Sequence, residues 1–176
     1  MGQPRRPGKA NLIAGLLTTD TGLFHKVRIE LEEMFGRIDF ESPVLDFNHT
    51  GYYTEELGKG LKRKFFGFER LFDTGVIYKS KLRTNTLEKR LSINNRRTVN
   101  IDPGYLDLSK VVLFSTKDYS HRIYIDKGIF AEVTLFFKGN AFSPWPWTYP
   151  DYKTGAYLDI FNAIRNIYKA KIRQSS

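Results

Sequence analysis

The sequence predicts an α+β fold, a mainly antiparallel sheet covered by helices, with a ferredoxin-like arrangement as the specific expectation. Three observations lead there. An apolar strand is followed at once by an amphipathic helix, a glycine-turned hairpin lies late in the chain, and the last helix carries an unbroken apolar stripe.

Residues 1–9 hold two Pro, two Gly and three bases and read as a mobile basic tail, leaving 10–176 as a single α+β domain. Ala10 to Thr18 is a near-continuous apolar run that suits a buried strand. Asp20 or Thr21 is placed to cap the helix that follows. On that helix Phe24, Val27, Leu31 and Phe35 share one face. Ile38 to Phe47 reads as a second strand interrupted at Pro43, which supplies no ladder donor and so implies an edge or a bend. Phe65 to Leu71 reads as a strand after a turn at Gly58 and Gly60. Asp73 to Ser92 reads as one helix or two: Asn85 and Glu88 have capping-box spacing, which would break it near Thr84. If it is continuous, Lys79, Arg83, Thr86 and Arg90 line one stripe.

The second half reads as a meander. Val99 to Ile101 is a short strand, and Asp102–Pro103–Gly104–Tyr105 has the residues of a type II turn. Val111 to Lys117 is apolar and then abruptly polar. His121 to Ile125 and Ile129 to Phe137 flank a three-residue loop, Asp126–Lys127–Gly128. That register makes Ile123, Ile125, Ile129, Ala131, Val133 and Leu135 a core face and sets Arg122 across from Glu132 as a surface ion pair. Ser143 to Tyr152 is a Pro-stiffened aromatic connector or a stacking platform. Tyr157, Ile160, Phe161, Ile164, Ile167 and Tyr168 form the stripe of the last helix.

Composition removes several function classes. With no Cys among 176 residues there is no disulfide framework, thiol nucleophile or cysteine-ligated metal. No apolar run approaches the ~18 residues of a membrane span, and Met1 to Lys9 is followed by no secretory apolar region. A cytoplasmic location without a membrane partner is expected. The net charge of +9 is concentrated: between Lys59 and Arg97 twelve bases face three acids, and the remainder of the chain is balanced. Such a basic patch fits phosphate-rich partners, although a solvated basic face has the same composition.

Charged groups also gather beside the late hairpin. His121 has the chemistry of an acid or base, with Glu132 to orient it. Lys117 and Arg122 suit phosphate or carboxylate groups, and Asn100, Asp102 and Asp118 complete a candidate ligand-binding set. No P-loop, GxGxxG or GxSxG string is present. Thr116–Lys117–Asp118 lacks the spacer of the guanine-reading [NT]KxD string. A metal site is not expected, since the three His offer only weak pairings such as Asp46 with His49, or Asp118 with His121 and Glu132.

Val99 to Leu106 (VNIDPGYL), Ser115 to Leu135 (STKDYSHRIYIDKGIFAEVTL) and Trp147 to Tyr152 (WTYPDY) together resemble a prokaryotic family catalogued only as a domain of unknown function. The likeness covers about residues 10–170, and it implies a whole single-domain member but no activity or cofactor. Two readings follow from the residues themselves. One is a small enzyme or binding protein for a phosphate-bearing, nucleotide-like ligand, held by the polar groups above. The other is a non-catalytic RNA- or DNA-binding module using the basic segment 59–97, with Tyr52, Tyr53, Phe65 and Phe66 as stacking groups.

Overall fold

A run of nine residues without a charge is stable only where both of its faces are covered. Ala10–Thr18 (β1) is buried at every position. The computed structural model describes residues 2–48 and 54–174. Among them β1 is followed by α1 (Gly22–Phe35), β2 (Ile38–Glu41), β3 (Leu45–Asp46), the single turn α2 (Thr54–Leu57), β4 (Lys62–Phe72), α3 (Lys79–Leu91) and β5 (Val99–Leu106). Then come β6 (Lys110–Ser115), β7 (Ile123–Asp126), β8 (Ile129–Lys138), β9 (Ala141–Pro144), a short 3-10 turn at Asp151–Lys153, and α4 (Gly155–Gln174). None of the helices among the described residues is long and apolar enough to cross a membrane.

The strands form one antiparallel sheet in the order β2-β4-β1-β5-β6-β8-β7, with β3 also on β4 and β9 on β8. Taking β3 as the resumption of β2 beyond Pro43, the first half runs strand–helix–strand–strand–helix–strand with β1 between β4 and β5. That is the ferredoxin-like arrangement the early βα unit implied, and β6, β8 and β7 extend it past β5. The α1 stripe Phe24, Val27, Leu31 and Phe35 packs with Leu87 and Leu91 of α3 on one face, over Leu12, Phe66 and Phe68. On the other face Tyr157, Phe161 and Ile164 of α4 cover Ile13, Phe65 and Leu113.

Several local readings give way to tertiary context. Asp102–Gly104 is not a turn: β5 runs straight through it, paired with β1 from Val99 to Leu106. Pro103 is tolerated because β6 pairs β5 only at Gly104–Leu106, so the stretch before it lacks a second neighbour. Gly104 is required by that pairing, since a Cβ there would lie 2.2 Å from the Val112 carbonyl oxygen. Gly104→Ala is therefore expected to cost about 1–3 kcal/mol through overpacking, read as a lower urea midpoint. An unchanged midpoint would contradict the close approach.

The capping box is also overridden. Asn85 does not start a helix, because α3 is continuous from Lys79 to Leu91 with Thr84 buried inside it. Lys79, Arg83, Thr86 and Arg90 are its exposed stripe. The late hairpin keeps the expected pairs Ile123 with Ala131 and Tyr124 with Phe130, but Asp126 pairs Ile129 across a two-residue turn. Lys127 and Gly128 both take positive φ there, as a type I′ turn demands. Ile125 is left as a bulge. β7 is the outermost strand of the sheet, and Ile123 and Ile125 are exposed on it, not core.

Candidate functional site

Where β5 and β6 stop pairing, the sheet splits. Pairing ends at Gly104 with Leu113, and Phe114–Ser115 of β6 continue against β8 alone. The resulting cleft is a cavity of about 460 Å³, within the range of roughly 300–1,000 Å³ usual for small-molecule sites. Its walls come from β4 (Arg63), α3 (Lys81, Asn85), Arg97, β5 (Asn100, Asp102), the end of β6 with its loop (Ser115, Thr116, Lys117, Tyr119), the hairpin (Arg122, Glu132) and the connector (Tyr149 to Tyr152).

The split leaves the edge of β5 without strand partners, and α3 caps it. Glu88 Oε1 accepts the Ile101 N–H at 2.6 Å, and Lys81 Nζ donates to the Ile101 carbonyl at 2.8 Å. The two side chains do for Ile101 what β6 does further along. Burial pushes the Glu88 carboxyl above its ordinary range, against the opposing pull of the Lys81 charge, the Ile101 N–H and Arg97. Arg97 also pairs with Glu56 and donates to Asn100 Oδ1 at 2.9 Å.

The floor depends on a missing side chain. Strand alternation puts Arg63 on the α4 face of β4, two residues from Phe65. Its guanidinium crosses β1 at Gly15, where a Cβ would lie 3.3 Å from Arg63 Nη1 and 3.0 Å from the Phe65 ring. It thereby meets Asp102 of β5 and Asp151 of the 3-10 turn, each at 3.4 Å, and is only 2% exposed. Asp102 Oδ2 also accepts Asn100 Nδ2 at 2.7 Å.

The far wall is built on Arg122. Its Nε donates to Glu132 at 2.8 Å, and its other nitrogens reach Ser115 Oγ, the Lys117 carbonyl and the Tyr149 hydroxyl at 2.8–2.9 Å. This is a buried pair rather than the expected surface one, with side chains 4% and 2% exposed. Thr134 Oγ1 also donates to Glu132, at 3.1 Å. Burial works against the Arg122 charge, but the hydrogen bond and charge of Glu132 together with Tyr149 outweigh it and hold the guanidinium above its ordinary value. Burial, and then repulsion by Arg122, push the Lys117 ammonium below its usual value.

Of the residues singled out from the sequence, Asn100, Asp102, Lys117, Arg122 and Glu132 therefore share one cavity. His121 bonds Glu132 at 3.2 Å and lies between the Tyr119 and Trp147 rings, but does not form part of the wall. Asp118 is exposed beside the site and does not line it. Among the described residues no group of three or more His, Asp or Glu is placed to hold a metal ion, and His49 lies outside them.

The basic segment is dispersed. Lys62 pairs with Asp46, Lys64 with Glu41, Arg90 with Glu30 and Arg97 with Glu56, while Arg63 and Lys81 turn inward. Phe65 and Phe66 are buried in the two cores and cannot stack on bases, and Tyr52 and Tyr53 fall outside the described residues. The connector is packed: Thr148 donates to the Thr134 carbonyl, and Trp147 Nε1 to that of Val133 at 3.2 Å. Sequence reasoning missed Arg63, Lys81, Arg97 and Asp151. The one local signal was Arg63 itself, a charge two residues from Phe65 on a strand's apolar face.

Fold and site define a class of protein, an α+β domain whose extended ferredoxin-like sheet splits to hold a charged cavity. The chain belongs to the family described as Domain of unknown function (DUF4416), which matches residues 8–168. No curated protein and no solved structure matches it.

Proposed function

We propose that the protein binds a small phosphate-bearing, nucleotide-like ligand in the cleft between β5 and β6. The observation that supports this reading is the charge of the wall. Arg63, Lys81, Arg97, Lys117 and Arg122 converge there from five segments, against the carboxylates Asp102, Glu132 and Asp151. Cationic side chains lining a concave site with low-dielectric walls favour anions, and the aromatic rings of Tyr119, Tyr149 and Phe47 give a flat ligand part apolar surface.

Titration calorimetry with inorganic phosphate and adenosine 5′-monophosphate tests it. Lys117, exposed at the rim, is expected to donate a charge-assisted bond, so Lys117→Ala should weaken binding about 10–100-fold, the equivalent of about 1.5–3 kcal/mol. Absence of binding at millimolar ligand would overturn the reading. If the protein instead held an RNA oligonucleotide with steep salt dependence, insensitive to Lys117→Ala but lost on reversing Lys79, Arg83 and Lys89 to Glu, the nucleic-acid reading would replace it.

A further inference from the structure

Resting on that phosphate reading, we infer that the ligand is a phosphorylated polyhydroxy compound, a sugar phosphate or nucleotide, whose hydroxyl groups are received by Asp102. The inference comes from which charges of the wall a ligand can reach. Arg63, Lys81, Arg122, Glu132 and Asp151 are all less than a tenth exposed and are engaged with one another or with backbone. They are the frame of the cavity. The accessible charges are Lys117 on the β6 side of the cleft, Arg97 on the β5 side with 30% of its side chain exposed, and Asp102 on the floor with 24% exposed.

Asp102 is fixed in place yet keeps acceptor capacity. Oδ2 is occupied by Asn100 and Arg63, while Oδ1 faces Lys81 Nζ at 3.8 Å, too far for a hydrogen bond. An ionised carboxylate only accepts, so its partner in a ligand must donate a proton. A cationic donor would have to sit against Arg63 and Lys81, which lie 3.4 and 3.8 Å from the Asp102 carboxylate. A neutral hydroxyl meets no such repulsion, and adjacent hydroxyls of a sugar can use both lone-pair directions of Oδ1. The phosphate of the proposed ligand then lies at the mouth, toward Lys117 and the short polar side chains of Ser115 and Thr116. A phosphate joined to a sugar places its hydroxyls at Asp102 and its anionic group at that rim.

Four probes test the assignment by calorimetry on the unmodified protein: ethyl phosphate, ribose 5-phosphate, adenosine 5′-monophosphate and its 2′,3′-dideoxy analogue. Ribose 5-phosphate is expected to bind about tenfold or more tightly than ethyl phosphate, the value of one or more hydrogen bonds to a charged acceptor. The dideoxy nucleotide should bind correspondingly more weakly than its parent. Asp102→Asn, checked for folding by its thermal transition, should erase the preference for ribose 5-phosphate over ethyl phosphate. If ethyl phosphate binds as well as ribose 5-phosphate, or the dideoxy nucleotide as well as its parent, the hydroxyl assignment fails while the phosphate reading stands. If none of the four binds, the phosphate reading itself has failed. A preference for ribose 5-phosphate over adenosine 5′-monophosphate would identify a free sugar phosphate as the source, and the reverse a nucleotide.

Discussion

Glu88→Ala is expected to lower the unfolding free energy by about 3–5 kcal/mol, the usual consequence of removing one partner from a buried charge network. At that size it removes a large share of a typical domain's stability. The reason lies in the split of the sheet. Ile101 has no strand on its β6 side, and its N–H is satisfied by Glu88 Oε1 alone among the contacts at that edge. Alanine leaves this buried donor unpaired, removes the carboxylate 4.0 Å from Lys81, and deprives Arg97 of a bond at 3.0 Å. Arg90→Ala, which breaks a pair whose arginine is 61% exposed, is the control and should cost no more than about 1 kcal/mol. Urea unfolding of both variants decides the matter, and equal losses would show that the β5 edge does not depend on Glu88.

The pH dependence of this effect has a definite sign. Burial raises the Glu88 carboxyl in the folded chain, so between the unfolded value of about 4.3 and the folded one the native state holds the extra proton. Stability from this group is full below the unfolded value and declines as pH rises through the folded one. The stability of the wild type relative to Glu88→Gln should therefore fall with rising pH in that window. A relative stability that climbs instead would reverse the assignment.

Arg63→Met is expected to cost a similar amount, about 3–5 kcal/mol. Methionine matches the apolar stem of arginine but leaves Asp102 and Asp151 facing a low-dielectric floor without the guanidinium between them. The aromatic rings of Phe47 and Phe65, 5.1 and 5.7 Å from the guanidinium carbon, also lose their cation. If the damage is the stranded carboxylates, adding Asp102→Asn and Asp151→Asn to Arg63→Met should recover much of the loss. A triple variant as unstable as the single one would place the cost in packing instead.

Much of the fold was legible because its signals are local. The α1 stripe and the apolar residues of α4 follow the helical period, and their burial matches residue by residue in α1. Pro43 marked the bend between β2 and β3, and Gly58 and Gly60 the positive-φ turn before β4. The misreadings share one cause. Asp102–Pro103–Gly104 looks like a turn and Asn85 with Glu88 looks like a cap, but each residue answers to a partner far away in the chain. Gly104 serves the close approach of β6, and Glu88 the edge of β5. Ile123 and Ile125 alternate as a core face should, yet their strand is the last in the sheet and both side chains are exposed on it.

The candidate site divides the same way. Lys117, Arg122 and Glu132 were visible together because a hairpin sets neighbours within a few residues of one another; Asn100 and Asp102 were named beside them, but with Asp102 in a turn, and only the continuous β5 puts the two on one face. Arg63, Lys81, Arg97 and Asp151 were not visible, since their meeting depends on where β4, α3 and the connector fall around the split.

By itself the sequence determined the element types, the antiparallel α+β class, the absence of thiol chemistry and the uneven distribution of its positive charge. Only the tertiary structure decided that this charge is dispersed, with part of it turned inward onto a cavity. Periodicity is a property of neighbouring residues, whereas the pairing of a buried charge is chosen by whichever strand or helix lies beside it. Here that choice is made by the gap between β5 and β6.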